Sequence, residues 1–228
     1  MYENKTEVYF RGERPELQRH FPETRGPVLD IGCGSGGFGA YLKQRFGPET
    51  EVWGVEPEAA PAERAAGHLN RVLCMPAEQA VSQLPDGHFD VIVFNDSLEH
   101  MVDPGTVLRM MSAKLRPGGR VFACIPNVRY YRVLFDLFVR KDWVYQDEGV
   151  LDHTHLRFFT RAGVSRLFNE SGYEVREMQG VRCVLKRHRK RLKWLQRLSF
   201  GLFADIAFMQ YICVATIRAD ESRAEEPV

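Results

Sequence analysis

Residues 27–37 read PVLDIGCGSGG, and this stretch decides the fold. Val28, Leu29 and Ile31 form a short apolar run that stops at glycine, the pattern of a strand covered on both faces. From Gly34 the chain turns into a helical stretch, Phe38–Phe46, which Gly47-Pro48 ends. Strand, glycine turn and helix in that order open a βα unit.

Working outward, the same unit recurs. EVWGVEP, 51–57, predicts a second strand and 58–69 a helix. RVLCM, 71–75, is a third strand, followed by a short helix over Ala77–Leu84 and the Pro85-Asp86-Gly87 turn. FDVIVFND, 89–96, has an unbroken apolar centre and predicts a fourth strand. A helix over Pro104–Leu115 and a turn at RPGG, 116–119, lead to RVFACIP, 120–126, as the fifth. Alternation of short apolar strands with helices predicts a parallel sheet wound on both faces, a Rossmann-like α/β domain over 27–218. Polar residues 1–26 read as an arm with one short helix around Glu16–His20.

Residues 128–159 break the rhythm with Tyr130, Tyr131, Phe135, Phe138, Trp143, Tyr145, Phe158 and Phe159. They predict an aromatic insertion, with one helix over Tyr131–Arg140, folded over the carboxyl edge of the sheet. Thr160 reads as the N-cap of a helix through Glu170, which Ser171-Gly172 ends. YEVREMQ, 173–179, and FMQYICVATI, 208–217, complete seven strands, and 219–228 is an acidic tail.

The chemistry begins at the glycines. Gly32, Gly34 and Gly37 fit G-x-G-x-x-G, and glycines there let the backbone approach a ligand and aim amide N–H groups at it. The turn suits a dinucleotide pyrophosphate and equally the carboxylate and ribose of S-adenosylmethionine. Asp30, two residues before the first glycine, separates the two: its carboxylate repels a pyrophosphate and attracts an ammonium and a sulfonium. Glu56, ending the second strand, is placed to accept hydrogen bonds from both ribose hydroxyls.

VLDIGCGSG, the acid in VEP, FDVIVFNDSLEHMVDP and LRPGG together resemble the class I S-adenosylmethionine-dependent methyltransferases over roughly residues 25–180. Within that class the chain is similar to the small-molecule branch typified by ubiquinone-biosynthesis O-methyltransferases and sugar methyltransferases. The resemblance implies a seven-stranded sheet of order 3-2-1-4-5-7-6 with the last strand antiparallel. It implies that Asp30, Gly32, Cys33, Gly34 and Gly36 line the methionine part of S-adenosylmethionine. It puts Glu56 on the ribose, Pro57 beside the adenine, and Ala77 and Glu78 at the adenine edge. Asn95 and Asp96 end the fourth strand beside the first, at the switch point of the topology.

Methyl transfer needs donor and acceptor held in line and water excluded. A hydroxyl acceptor also needs a base, for which histidine is suited. His20, His68 and His88 lie on polar stretches and His188 in a basic run, leaving His100, His153 and His155. His100 stands in a Glu-His pair common in related methyltransferases. Asp152-His-Thr-His155-Leu-Arg157-Phe-Phe-Thr resembles a stretch common in methyltransferases of glycan biosynthesis. It nominates His155 as base or acceptor ligand, with Asp152 and Arg157 in support and His100 as the rival. The implied acceptor is a small molecule or a glycan, and O-methylation is favoured over N-methylation.

Other readings are narrowed. Asn95-Asp96-Ser97-Leu98 is not the Pro-Pro-aromatic motif of enzymes that methylate nucleobase amino groups. Cys124 lies inside a strand, and no ligand spacing predicts a metal. An NAD-dependent oxidoreductase is opposed by Asp30, while a cofactor-binding domain that regulates a partner stays open. The chain has 228 residues, 31 Lys+Arg against 30 Asp+Glu, and a net charge of +1, which gives no global attraction to nucleic acid. Five cysteines without a CxxC pair fit a reducing cytoplasm. The opening MYENKTEVYFRGERPE has no apolar signal-peptide core. Residues 182–204 carry eight Lys/Arg, no acid, and leucines at 192, 195, 198 and 202. This basic amphipathic segment is either a connector packed on the protein, a surface for an anionic membrane or lipid-linked acceptor, or a contact for another partner.

Overall fold

The computed structural model describes residues 15–183, 201 and 203–219. Most of the basic segment (184–200 and 202), the first 14 residues and 220–228 lie outside the described residues. Seven strands form one sheet: β1 Val28–Ile31, β2 Val52–Val55, β3 Arg71–Leu73, β4 Phe89–Asn95, β5 Leu115–Pro126, β6 Tyr173–Cys183 and β7 Phe208–Ile217. Their order is β3-β2-β1-β4-β5-β7-β6. The first five pair in parallel, and β7 runs antiparallel to both neighbours.

Strand alternation sends successive side chains to opposite faces. Leu29, Ile31, Ile92, Phe94, Val121, Ala123 and Ile125 enter one core, which also takes in Val107, Leu108 and Met111 of α5 (Pro104–Ser112) and Val164 and Phe168 of α7 (Arg161–Glu170). Val28, Val52, Val91, Val93, Phe122 and Cys124 enter the other. There they meet Leu17 of α1 (Pro15–Gln18), Phe38 and Leu42 of α2 (Gly37–Phe46) and Ala65 of α3 (Ala59–Ala66). A strand buried on both faces does not alternate polar and apolar, which is why β1 and β4 are apolar at most positions, with Asp30 and Asp90 as buried exceptions. α4 (Ala77–Ala80) follows β3, and α6 (Tyr131–Phe135) opens the insertion.

Local differences have local causes. RPGG is not a turn between helix and strand: the helix ends at Ser112, and β5 starts at Leu115 and runs through 116–119 as a bulge, with Gly118 at φ +78° and a register shift opposite Phe89 and Val91. The insertion helix changes after Phe135 into a π-helical turn, Asp136–Arg140, closed by Lys141 at φ +57°. β6 continues to Cys183, four residues past the expected end, because β7 is long enough to pair with it as far as Phe208. Thr160 caps α7 by accepting from Gly163 N at 3.1 Å.

The insertion is closed at its base by a parallel bridge between Asn127 and Phe159. Asn127 Nδ2 donates to the carbonyls of Asp205 and Phe208, fixing this base to the chain that enters β7. Its inner half packs Tyr130, Val133, Val150 and Leu151 together, with Trp143, Phe158 and Met209 against them. Its outer half leaves Phe135, Phe138, Val139, Val144 and Tyr145 exposed. Among the described residues no helix is long and apolar enough to cross a membrane.

Candidate active site

The parallel order reverses between β1 and β4, so a crevice opens at their carboxyl ends. The glycine turn forms its floor. Gly32 and Cys33 extend β1 by donating to the Val55 carbonyl at 2.8 and 3.1 Å. Gly32 takes φ +78°, and a Cβ there would stand 2.9 Å from Ser97 Cβ, so the turn passes directly under the chain leaving β4. Gly36 takes φ +81°, with the Ala65 backbone 3.1 Å from where its Cβ would be.

Glu56 is buried and fixed. One carboxylate oxygen accepts from Gly34 N at 2.9 Å and the other from Glu58 N at 3.0 Å. Burial raises its pKa, while those two amides lower it. Asp30 is 1% exposed on the strand before the turn. Burial first, and then Glu56, push its pKa up to about 7. Asp30 Oδ1, Asn95 Oδ1 and Ser97 Oγ are buried without a hydrogen-bond partner among the described residues. The Asp30 and Asn95 oxygens only accept and the Ser97 hydroxyl can accept, so the three together fit an α-ammonium group, and the Asp30 carboxylate opposes a phosphate. The Cys33 side chain points away, toward Gly54, where a Cβ would lie 2.6 Å from its sulfur. Burial and the two carboxylates hold its thiol protonated, and the backbone is what this residue presents at the turn.

The nucleoside side is more open. Pro57 is exposed after Glu56, and the Glu56 amide donates to Leu73 at 3.0 Å, tying the end of β2 to β3. Ala77 is buried at the start of α4, while Glu78 beside it is exposed. The positions nominated for ribose and adenine thus line the carboxyl ends of β2 and β3. Asp96 adopts φ +50° and accepts from Gln210 Nε2 of β7.

On the acceptor side, a 3₁₀ turn at Leu98–His100 meets the returning end of the insertion. The amides of Leu156 and Arg157 both donate to the Glu99 carbonyl, at 2.8 and 3.0 Å. His100 Nδ1 bonds the Thr154 carbonyl at 3.1 Å and His155 Nδ1 the Val150 carbonyl at 3.0 Å. A carbonyl only accepts, so each ring donates through Nδ1–H, and in a neutral ring the lone pair lies on Nε2. The two rings pack edge to face with centroids 4.8 Å apart. Burial, and then His155, lower the His100 pKa to about 4, so that ring is neutral at ordinary pH. His155 Nε2 lies 3.9 Å from a carboxylate oxygen of the buried Glu99.

The fold therefore brings His100 and His155, rivals in the sequence, into one cluster. Asp152 lies behind it: its Oδ1 accepts from Thr154 N and Thr154 Oγ1 at 2.9 and 2.8 Å, shaping the turn that presents His155. Arg157 donates to the Val102 carbonyl at 2.6 Å and braces the same loop. His153 sits outside, bonded to the Gln146 carbonyl. Glu99 and Ser97 escaped the sequence reading. The signal for Glu99 was its place beside His100, directly after a strand end at the switch point.

An open α/β sheet with a glycine turn anchored by a buried carboxylate at the end of β2, and with buried unpartnered oxygens at the ends of β1 and β4, is a Rossmann-like fold whose site fits an adenosyl ligand bearing a cation. Residues 7–178 match the family described as methyltransferase domain, and the chain belongs to that family. It is 33% identical over 157 residues to the ubiquinone biosynthesis O-methyltransferase of Aeromonas salmonicida, covering 68% of this chain and 65% of that protein. A Pseudomonas aeruginosa protein of the same name is 30% identical over 160 residues, with 68% and 67% covered. The match thus spans about two thirds of these relatives' length. A S-adenosylmethionine-dependent methyltransferase of Archaeoglobus fulgidus has the same fold, with TM-score 0.66 at 20% identity over 92% of this chain and 96% of that one. A Thermotoga maritima S-adenosylmethionine-dependent methyltransferase, a possible histamine N-methyltransferase, gives 0.60 at 20% identity, with 89% and 86% covered. S-adenosylmethionine is the donor of this family. Asp30, Asn95 and Ser97 fit its ammonium group, and Glu56 its ribose.

Proposed function

We propose that the chain methylates a hydroxyl group of a small molecule, free or carried on a glycan or lipid. The observation that carries this reading is the Glu99–His100–His155 cluster, set one turn beyond Ser97, whose Cβ abuts the glycine turn. Polar groups able to handle a proton stand where an acceptor would meet the methyl group. Bound S-adenosylmethionine supplies an electrophilic methyl on a sulfonium.

This chain's own residues do the rest. Asp30 and the oxygens of Asn95 and Ser97 orient the methionine end, and Glu56 orients the ribose. His155 Nε2 takes the hydroxyl proton, with the ring fixed by its bond to Val150. The insertion roofs the site and excludes water, which keeps the sulfonium for the acceptor. Its aromatic lining and exposed Phe135, Phe138 and Tyr145 support an acceptor with an apolar portion. The names of the O-methyltransferase relatives support the choice of oxygen.

The test is a methyl-transfer screen with labelled S-adenosylmethionine against phenols, sugar nucleotides and lipid-linked sugars, paired with the matching amines. Label transferred to a hydroxyl supports the reading. Transfer to amines alone overturns it, and cofactor binding without transfer to any acceptor favours a regulatory domain.

A further inference from the structure

We propose that a cavity at the amino edge of the sheet, walled by Arg25, Arg116 and Arg120, is a second binding site, which takes a phosphate dianion, free or carried on a small molecule. The cavity has a volume of about 420 Å³ and is lined by Glu23, Thr24, Arg25, Asp90, Arg116 and Arg120. That size lies in the range of small-ligand sites, roughly 300–1,000 Å³. β4 carries Asp90 near its start and Asn95 at its end. Five residues at about 3.3 Å each put roughly 17 Å between this cavity and the cofactor crevice. The cavity is therefore separate from the residues assigned to methyl transfer.

Its wall is built around one buried carboxylate. Asp90 is 5% exposed. Its Oδ2 accepts from Thr24 Oγ1 at 2.7 Å and from Gly26 N at 2.9 Å. Its Oδ1 stands 2.5 Å from Arg116 Nε. A Cβ on Gly26 would fall 2.0 Å from that Oδ1, so the loop before β1 presses its backbone onto the carboxylate. Arg120 donates through Nη2 to the Glu23 carbonyl at 3.0 Å, which ties the same loop to β5. The Glu23 carboxylate turns to Arg45 of α2. Both acids at the cavity are thus committed to protein donors.

The cations keep donors to spare. A guanidinium carries five N–H donors in a planar fork. Arg116 spends Nε on Asp90, and Arg120 spends one Nη2 hydrogen on Glu23, so four donors remain on each. Arg25 makes no hydrogen bond or ion pair among the described residues. Arg25, Arg45, Arg116 and Arg120 stand against Glu23 and Asp90, an excess of two positive charges. A phosphate monoester at neutral pH carries about two negative charges and three strong acceptor oxygens. Guanidinium forks pair with those oxygens two at a time. Arg116 and Arg120 are already oriented by their protein partners, so less of their freedom is lost on binding. A nucleic-acid strand needs cations spread along its backbone. Here they converge on one concavity, which selects a small anion.

The experiment titrates the full chain, in chloride buffer at constant ionic strength, with inorganic phosphate and in parallel with ribose 5-phosphate, followed by phosphorus NMR and calorimetry. The expected result is saturable binding of one equivalent that persists when S-adenosylhomocysteine is present. Tighter binding of ribose 5-phosphate supports the site as one for a phosphorylated small molecule, and tighter binding of inorganic phosphate supports it as one for the free ion. Arg25→Gln and Arg120→Gln should each weaken binding about tenfold or more, through loss of a charge-assisted contact. Arg176→Gln, on the edge strand β6, should leave it unchanged. Thermal unfolding shows that each variant is folded. Absence of saturable binding of both probes to the folded wild type overturns the site. Binding undiminished in both arginine variants also overturns it, and loss of that binding on adding S-adenosylhomocysteine would put the anion in the cofactor crevice instead.

Discussion

Replacing Glu56 by alanine tests the cofactor cradle at its most constrained point. An ionised carboxylate offers about four lone-pair directions. Two are taken by the amides of Gly34 and Glu58, which leaves two for the two ribose hydroxyls. Hydrogen bonds to a charged group contribute about 1.5–3 kcal/mol, and replacement by water in the variant recovers part of each. A net loss of about 1.5–3 kcal/mol in binding, or roughly 10- to 150-fold in Kd, follows. The variant also strands two loop amides, so its thermal midpoint should fall by a few degrees, from about 1–3 kcal/mol of lost stability. Glu56→Gln keeps one acceptor oxygen and the shape, and should lie between wild type and alanine. Titration calorimetry with S-adenosylhomocysteine, at a temperature where all three proteins are folded, reads the series. Equal affinity in all three would refute the ribose role of Glu56.

Two further outcomes follow from the same geometry, and a third from the sequence alone. Asp30 has a pKa of about 7 in the free protein, and an ammonium ligand needs its anion, so protons compete with the ligand. S-adenosylhomocysteine should therefore bind about tenfold more weakly at pH 6 than at pH 8, level off above, and lose this dependence in Asp30→Asn; a flat wild-type profile contradicts it. His155→Ala should lower turnover about 10²- to 10⁴-fold while calorimetry shows cofactor affinity unchanged, and full turnover would clear His155 of any part in the chemistry. The cations of 182–204 should hold the protein on anionic vesicles at low salt and release it as salt rises. Substituting Gln at Arg187, Arg189, Lys190 and Arg191 should remove most of that co-sedimentation, whereas no binding at any salt, with the leucine stripe found buried against the sheet, makes the segment a connector.

The fold was legible because each βα unit carries its own local signals. VLDI and FDVIVFN carry apolar residues on both faces, as central parallel strands do, and the intervening glycines and prolines mark the turns. The bulge through RPGG was not, since Pro-Gly-Gly carries the same local signature whether the chain reverses or merely kinks inside a strand. Asp30 and Glu56 were readable from position because strand ends at a switch point face the ligand. The acceptor cluster was half-readable. His100 and His155 each stood out, but their meeting depends on how the insertion returns over β4, which is long-range packing that no local period encodes. Glu99 was hidden by the same cause: beside one histidine it reads as an ordinary turn acid, and it becomes part of a three-donor cluster only when the insertion folds back.

The most direct test of the account is a crystal structure of the chain with S-adenosylhomocysteine bound. The account predicts Glu56 on the ribose hydroxyls, the ammonium group on Asp30 with Asn95 and Ser97, and the sulfur facing Glu99, His100 and His155 beneath the insertion. A nucleoside seated elsewhere, or a sulfur turned away from that cluster, would contradict it.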